Sequence, residues 1–451
     1  MTDRTMTQKG AKEITPVTPA NVHEVLRRNM LADGFPIVFD LQKSRGVWIV
    51  DAKSGKMYFD FFSFFATAPI GFNHPRLHAP DFQKKLLRAA TTNITNSDLY
   101  TVEMAEFVEA FSRIAIPDAL PHLFLVAGGA LGVENALKAA FDWKIQKNFA
   151  KGYREEVGTQ VIHFREAFHG RSGYTLSLTN TDPVKTRHFP KFKWPRVANP
   201  KIEFPVTPES DARVARAEEE ALAEVRAAIA REGDDIAALI IEPIQGEGGD
   251  NHFRGEFLRA LRRICDEHEI LFIVDEVQAG LGLTGTWWAY QNFGFEPDLL
   301  AFGKKMQVCG VLASRRIDDV ESVFKIPSRI NSTWGGTLAD MVRSQAYLEV
   351  IDDEGLLENA RVVGAHLLGR IRELAAQFPG LVTAPRGRGL MCAFDLPSPE
   401  IRKRYLTTAP EKGVIMLGSG ERSVRFRPAL NMTKAEVDEG ITRVRTALKT
   451  L

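Results

Sequence analysis

The sequence predicts an α/β protein, with a large domain built on a doubly wound or related sheet and a smaller α+β domain formed by both ends of the chain. Two observations lead to this fold class. Helical and strand-like patterns alternate through the middle of the 451 residues, which is typical of a sheet covered by helices. Short apolar runs without polar alternation separate the helical segments, and such runs suit strands buried on both faces. The predicted divisions are 1–77 for an N-terminal arm and part of the small domain, 78–341 for the large domain, and 342–451 for the remainder of the small domain.

The N-terminal part begins with a polar arm of about 20 residues, and a short helix is expected to start near Asn21. Strand-like alternation then runs from Phe35 to Phe65 and is interrupted by the turn sequences KSRG and KSGK. This pattern predicts a small meander of strands.

The large domain is expected to contain four helices, over Val102 to Ile114, Val133 to Phe149, Pro208 to Glu232 and Arg254 to His268. Three apolar runs, DIAALIIEP, ILFIVDE and PDLLAFGK, share one layout, because each closes on an ionisable residue. Those residues are Glu242, Asp275 and Lys304. Ligands of open α/β sheets bind outside the carboxyl ends of the strands, so these side chains should converge if the strands are parallel.

The C-terminal part begins with one long helical pattern, MVRSQAYLEVIDDEGLLENARVVGAHLLGRIRELAAQF. Strand-like segments follow in RGLMCAFDL and SVRFRPAL. We therefore expect a long helix and a smaller α+β unit that packs with the N-terminal part.

The charge balance indicates a small-molecule substrate. The chain has 58 basic and 57 acidic residues, so it offers no broad field for nucleic acid or an anionic bilayer. Cys265, Cys309 and Cys392 lie far apart without ligand spacing, which argues against a disulfide framework or a structural metal and for a reducing compartment. The polar N-terminus and the lack of a long apolar run predict a cytoplasmic protein without a membrane partner.

Two adjacent lysines, Lys304 and Lys305, follow the third apolar run. Lysine is rarely buried without a partner, so the pair is either a solvated strand end or contains a reactive amine. If the strand continues through Gly303, Leu300 and Lys304 share one face and Lys305 points to the other. Parity therefore favours Lys304 as the reactive residue.

Two further features could act with that lysine. The segment LVAGGALGVENALKAAFDWK opens a helix with small residues, so backbone N–H groups near Gly129 and Ala130 could bind a phosphate, although tight packing also explains such a start. Asp275 ends an apolar strand and needs a cation or several donors to stay ionised, and a helix cap or salt bridge would supply these equally. A lysine for a covalent bond to an aldehyde, an anion site and a carboxylate for a pyridinium nitrogen are together what pyridoxal phosphate requires.

The motifs DEVQAGLGLTG and PDLLAFGK resemble the signature of the class III (ω-amino acid) aminotransferases, which bind pyridoxal phosphate. The resemblance implies the fold type I architecture of pyridoxal-phosphate enzymes, with a mainly parallel central sheet. Within the family, FHGRSGYTLSLTNTDP, IEPIQGEGGDNHFR, FGKKMQVCG and INSTWGG are similar to the enzymes that transfer the ε-amino group of L-lysine to 2-oxoglutarate. That reaction gives 2-aminoadipate 6-semialdehyde, which cyclises to piperideine-6-carboxylate, and L-glutamate.

The resemblance also implies roles at the cofactor. Lys304 would be joined covalently to the cofactor, Asp275 would pair with its ring nitrogen, and Gln278 would lie near its phenolic oxygen. The remaining cofactor contacts implied are the phosphate loop at Gly129 and Ala130, the ring-covering Phe168, and Thr333 from the other subunit of a homodimer whose active site lies at the interface.

Four residues match those that bind substrates in the family. The match implies that Arg425 takes the α-carboxylate of glutamate and that Glu247 covers this arginine when the ω-amino substrate is bound. Arg171 would hold the far carboxylate, a bidentate task that suits guanidinium. Asn331 would orient that end. Taken in isolation, either arginine would more commonly form an ordinary surface ion pair.

The chain departs from the family pattern at Leu283, Met306 and Thr337, where arginine, a small hydroxyl residue and asparagine are expected. A methionine facing the pocket would remove a hydrogen-bonding group near the cofactor.

The alternative amino donors are ornithine, 4-aminobutyrate or another diamine. A binding protein that keeps this fold without chemistry, or a nucleotide-binding protein, is the alternative from another class, and the absence of GxGxxG or GxxxxGK[ST] spacing argues against nucleotides.

Overall fold

The structure is a computed structural model that describes residues 16–451. Its helices are α1 Val22–Arg27, α2 Ser63–Ala66, α3 Pro80–Thr91, α4 Val102–Ile114, α5 Gly129–Ala150, α6 Gly173–Leu178, α7 Pro208–Glu232, α8 Gly255–Glu267, α9 Leu338–Asp353, α10 Leu356–Gln377, α11 Pro399–Thr408 and α12 Lys434–Leu448. Its strands are β1 Trp48–Val50, β2 Met57–Asp60, β3 His122–Val126, β4 Gln160–Phe164, β5 Arg196–Val197, β6 Ile236–Ile241, β7 Ile244–Gln245, β8 Asn251–His252, β9 Leu271–Asp275, β10 Leu299–Phe302, β11 Cys309–Ala313, β12 Thr383–Arg388, β13 Met391–Asp395, β14 Val414–Ile415, β15 Leu417–Ser419 and β16 Ser423–Phe426.

The central sheet has the strand order β3-β11-β10-β9-β6-β4-β5. Strands β4, β5, β6, β9 and β10 pair in parallel, whereas β11 is antiparallel to both of its neighbours. The sheet is therefore mainly parallel, and the predicted α/β fold class is confirmed.

Both faces of the central sheet are buried. Along β10, Leu299 and Ala301 pack in one core with apolar residues of α5, while Leu300 and Phe302 pack in another with residues of α4 and α8. A fully buried side chain of this size stabilises the fold by about 1.5–3 kcal/mol, so strands with no polar position are favoured here. This explains why the strands read as continuous apolar runs.

The two ends of the chain share a second, three-stranded sheet. Strand β14 pairs in parallel with β2, which in turn pairs antiparallel with β1. A four-stranded sheet of order β12-β13-β16-β15 lies entirely in the C-terminal part. This pairing supports a small domain made from both ends, and the boundaries at residues 77/78 and 341/342 remain our proposal.

Two expectations about local structure were wrong. The long C-terminal helical pattern forms two helices, α9 and α10, because Gly355 adopts a left-handed conformation with φ of 61° between them. The segment from Ser63 to Ala66 is not extended either, since each of its residues has φ between 38° and 65°. The Asp60 carboxylate caps this turn by accepting hydrogen bonds from the backbone N–H groups of Phe62 and Ser63 at 2.8 and 2.9 Å.

Three further observations bear on the compositional expectations. All three cysteines are free and buried. Across residues 16–451, none of the helices combines the length and apolarity that crossing a bilayer requires. The same part of the chain contains no cluster of three or more His, Cys, Asp or Glu side chains suited to a metal ion.

Candidate active site

The side chains that close the three apolar runs line one cavity. Strands β6, β9 and β10 are neighbours and parallel, so their carboxyl ends meet at the same edge of the sheet. The convergence predicted for Glu242, Asp275 and Lys304 is therefore present. The cavity is lined by Gly129, Ala130, Phe168, His169, Gly170, Glu242, Asp275, Val277, Gln278 and Lys304.

Lys304 is the first residue of a turn that follows the end of β10. Its φ of 50° lies in the left-handed region, which turns its side chain into the cavity. Within residues 16–451 its ammonium makes no hydrogen bond or ion pair. Burial and the positive charge of Arg425 lower the pKa of Lys304, against the opposing carboxylates of Asp275 and Glu242. A lysine with a lowered pKa and no partner is suited to covalent chemistry and proton transfer.

Lys305 occupies a different environment from its neighbour. It is buried, and its Nζ donates a hydrogen bond to the backbone oxygen of Gln278 at 2.7 Å. Burial and the nearby charges of Lys304 and Arg427 hold its pKa well below the ordinary value. The solvated-turn interpretation of the lysine pair is therefore wrong for Lys305.

Asp275 is buried at the end of β9 and has two donors. Its Oδ2 lies 2.8 Å from Nδ1 of His169, and its Oδ1 accepts a hydrogen bond from the backbone N–H of Val277 at 3.0 Å. In the described part of the chain, Nε2 of His169 is buried without a hydrogen-bond partner. The carboxylate thus has an orienting neighbour and faces the cavity, where a cationic group would find a counter-charge.

Helix α5 begins at the cavity, four residues earlier than its apolar pattern indicated. Gly128 precedes it with φ of 112°, a conformation that favours glycine, and the first N–H groups of the helix have no intrahelical acceptor. A Cβ atom at Gly129 would lie only 2.9 Å from Cγ1 of Val277. Small residues are therefore required at this helix start, which leaves its N–H groups accessible to an anion.

An arginine–carboxylate pair lies beside the cavity. The buried Arg425 donates from Nη2 to Oε2 of Glu247 at 3.2 Å and from Nη1 to Oε1 of Gln278 at 3.1 Å. Oε1 of Glu247 also accepts a hydrogen bond from Nζ of Lys185 at 2.6 Å. Burial would raise the pKa of Glu247, but Arg425 and Lys185 outweigh it and hold that pKa below its ordinary value. The surface-pair interpretation of Arg425 is wrong, because its side chain is only 3% exposed.

Besides Arg425 and Glu247, which lie beside the cavity, three predicted site residues lie outside its lining in this chain. Arg171 is exposed, with its guanidinium carbon 5.8 Å from the ring centre of Phe168. Asn331 and Thr333 are exposed in a loop between β11 and α9. The amide of Asn96 holds the next part of this loop, donating to the backbone oxygens of Trp334 and Gly336 at 2.7 and 3.2 Å. The substrate and cofactor roles of Arg171, Asn331 and Thr333 remain predictions.

Sequence reasoning did not identify the partners of three side chains in this region. Glu242 was predicted to converge with Asp275 and Lys304, and in the structure it also accepts hydrogen bonds from the N–H groups of Phe168 and Gly246, both at 3.0 Å. Burial raises the pKa of Glu242 to about 7. The partners of His169 and Lys185 lie 106 and 62 positions away in the sequence, so no local pattern reveals these two contacts.

The departures from the family pattern lie away from the cavity. Met306 is 1% exposed and Leu283 is fully buried, and both pack in the main apolar core. The hydroxyl of Thr337 donates to Asp340 at the start of α9. The methionine therefore does not remove a group from the cavity lining.

Comparison with known proteins identifies the relatives of this chain. The family model described as aminotransferase class-III matches residues 31–448. A Mycobacterium tuberculosis protein named L-lysine-epsilon aminotransferase is 54% identical over 435 residues, covering 96% of each chain. A Streptomyces clavuligerus protein of the same name is 50% identical over 425 residues, covering 93% of this chain and 92% of that one. The solved structure of lysine aminotransferase from M. tuberculosis superposes with a TM-score of 0.94 at 53% identity, covering 96% of this chain and all of that one.

Proposed function

Because the chain belongs to the class III aminotransferases, we propose that it transfers the ε-amino group of L-lysine to 2-oxoglutarate. The products are 2-aminoadipate 6-semialdehyde, which cyclises to piperideine-6-carboxylate, and L-glutamate. The names of relatives at 50–54% identity support the donor. The observation that carries the chemistry is the convergence of Lys304, Asp275 and the start of α5 on one cavity.

The residues around the cavity fit pyridoxal phosphate, the cofactor of this family. The open N–H groups at Gly129 and Ala130 suit its phosphate, and the buried Asp275 suits a protonated ring nitrogen. Lys304 suits its aldehyde, and Phe168 offers an apolar face for its ring. When bound, this cofactor supplies the electron sink for removing a proton from the carbon that carries the amino group.

Proton transfer is assigned to Lys304. Burial and the charge of Arg425 lower the pKa of its Nζ, which has no partner in the described part of the chain, and both conditions favour the unprotonated amine that a base requires. In that form, Nζ can take a proton from the substrate carbon that carries the amino group. The same Nζ can later return that proton to complete the half-reaction. The carboxylate of Asp275, whose Oδ2 lies 2.8 Å from Nδ1 of His169, lines the same cavity and would pair with a protonated ring nitrogen.

The two substrates place different demands on Arg425. Glutamate carries a carboxylate next to its reacting amine, whereas the ε-amine of lysine has none nearby. With lysine bound, Glu247 neutralises the buried guanidinium, which would otherwise be costly to leave unpaired. With glutamate bound, the substrate carboxylate takes over Arg425. Arg171, with Asn331, holds the distant carboxylate of either substrate.

The active site is proposed to lie at a homodimer interface, with Thr333 reaching the cofactor phosphate of the partner subunit. Large apolar side chains are exposed on the surface near the loop that contains Thr333. Leu99, Tyr100 and Trp334 are 67%, 77% and 50% exposed. The backbone of this loop is tied to Asn96, three residues before Leu99, so these side chains form one surface region. Their exposure favours a partner chain over solvent.

A donor panel tests the proposed function. The purified protein is offered L-lysine, L-ornithine, 4-aminobutyrate and a diamine, the cofactor spectrum follows each half-reaction, and mass spectrometry identifies the product. We expect lysine to react fastest and to give the cyclised semialdehyde. Faster turnover of another donor would reassign the substrate within the family. Borohydride reduction followed by peptide mapping should find the cofactor on Lys304, and attachment to Lys305 would overturn the site assignment.

A further inference from the structure

Lys185 lies beside the ion pair that separates the two substrates, and the proposed function gives it no role. It ends a short 3-10 turn, Pro183–Lys185, which the Asp182 side chain caps by accepting the N–H of Val184. Its Nζ is 2.6 Å from Oε1 of Glu247 and 3.3 Å from Oγ1 of Thr181. It also lies 5.7 Å from the centre of the Phe168 ring. The Lys185 side chain is only 17% exposed, so it is part of the site region and is not an ordinary surface lysine.

Glu247 is held by two cations on opposite oxygens. Oε1 receives Lys185, and Oε2 receives Arg425 at 3.2 Å. The contact to Lys185 therefore uses a different oxygen from the contact to Arg425. A movement of Glu247 away from Arg425 does not require the carboxylate to lose its other partner.

A charge count shows why the second cation matters. Without it, Arg425 is the one cation in contact with Glu247 among the described residues, and an incoming carboxylate on Arg425 would leave the partly buried Glu247 without a cation in contact. Such an unpaired charge is costly. With Lys185 present, two cations face one carboxylate, so a second carboxylate can occupy Arg425 while Glu247 stays paired.

We propose that Lys185 is a positioning residue that keeps Glu247 paired when a dicarboxylate occupies Arg425, and so determines affinity for 2-oxoglutarate and glutamate but not for lysine. This inference rests on the proposed function, because it assumes that Glu247 yields Arg425 to a substrate carboxylate. Lysine brings a cationic amine and leaves Glu247 in place, so its half-reaction does not need the second cation.

The test uses the holoenzyme and glutarate, an unreactive dicarboxylate, with binding measured by calorimetry. Replacing Lys185 by methionine should weaken glutarate binding about tenfold, the scale of one charge-assisted hydrogen bond that is partly screened. The KM for 2-oxoglutarate should rise by a similar factor, while the rate of the lysine half-reaction changes less than about twofold. Lys185→Arg, which keeps the charge, should restore most of the affinity.

Lys201→Met is the matched control. Lys201 also pairs with a glutamate at 2.6 Å, here Glu166, and lies in a neighbouring cleft outside the proposed machinery. The Lys201→Met variant should bind glutarate as tightly as the wild type. Thermal unfolding of each variant with bound cofactor separates loss of binding from loss of folding.

A second variant distinguishes action through Glu247 from direct contact with substrate. In a Glu247→Ala background the carboxylate that Lys185 pairs with is absent. Adding Lys185→Met should therefore change glutarate affinity less than about twofold. A tenfold loss in that background would mean that Lys185 binds the substrate itself and would overturn the proposal. Equal effects on glutarate and lysine, or no effect in the single variant, would also overturn it. Failure of the wild type to react with lysine would instead refute the proposed function.

Discussion

Replacing Lys305 by methionine should make the protein more stable at pH 8 than the wild type, and this advantage should shrink as the pH rises. Lys305 is 1% exposed, and its pKa lies well below the ordinary value of 10.5 because of burial and of the charges of Lys304 and Arg427. Between the lowered pKa and 10.5, the unfolded chain binds one more proton than the folded protein. The wild type therefore gains stability with rising pH in this window.

The magnitude follows from that single proton. Where the folded protein leaves Lys305 neutral and the unfolded chain still protonates it, the free energy of unfolding of the wild type should rise relative to that of Lys305→Met by about 1.36 kcal/mol per pH unit. The variant also loses the hydrogen bond to the backbone oxygen of Gln278, which costs about 1–3 kcal/mol at every pH. Methionine fills the space of lysine, whereas alanine would leave a cavity and cost about 2–5 kcal/mol more.

The assay is urea unfolding with saturating cofactor at pH 8, 9 and 10, with exposed Lys403→Met as the control. The control should run parallel to the wild type. Lys305→Met should keep most of the activity, and borohydride should still attach its cofactor to Lys304. A stability difference that does not change with pH would refute the reasoning, because it would mean that Lys305 stays charged in the folded protein.

Other outcomes are expected elsewhere in the molecule. Glu247→Ala should slow the lysine half-reaction about 10- to 100-fold, because it leaves the buried Arg425 without its carboxylate, and should slow the glutamate half-reaction less. Stopped-flow spectra measure both half-reactions, and equal losses would show that Glu247 does not exchange with the substrate carboxylate on Arg425. Mixing inactive Lys304→Ala with Thr333→Ala should restore activity through heterodimers that contain one intact site, and the absence of recovery after subunit exchange would argue against the shared site. Gly355→Ala should lower the free energy of unfolding by about 1 kcal/mol because its φ of 61° favours glycine, whereas a gain in thermal unfolding would contradict that reason.

The sequence was informative where burial is continuous. The strands ending at Glu242, Asp275 and Lys304 were predictable because a strand covered on both faces has no polar position until it leaves the sheet. Helix α7 was predicted at its observed bounds because proline at its first position and glycine after its last residue mark both ends.

Other features depended on information that a local pattern lacks. The helical pattern continues through Gly355, so the break between α9 and α10 is visible only as a single left-handed residue. The left-handed run from Ser63 to Ala66 contains Phe64 and Phe65, which favour strands, and it is held by tertiary contacts such as the hydrogen bond from Oγ of Ser63 to the backbone oxygen of Arg427. The contact between Lys185 and Glu247 was missed because the sequence near residue 185 contains no signal for a partner 62 positions away.

The two arginines beside the cavity also fix how Gln278 can act. Its Oε1 accepts from Nη1 of Arg425 at 3.1 Å and from Nη2 of Arg427 at 3.2 Å. An amide oxygen has two lone pairs, so both are used and the NH₂ group is the end left for the cavity. The resemblance implied only that Gln278 lies near the phenolic oxygen of the cofactor. The guanidinium contacts leave the amide NH₂ group as the donor that Gln278 would offer to this oxygen, and they tie Gln278 to the Arg425 that is proposed to bind the substrate carboxylate.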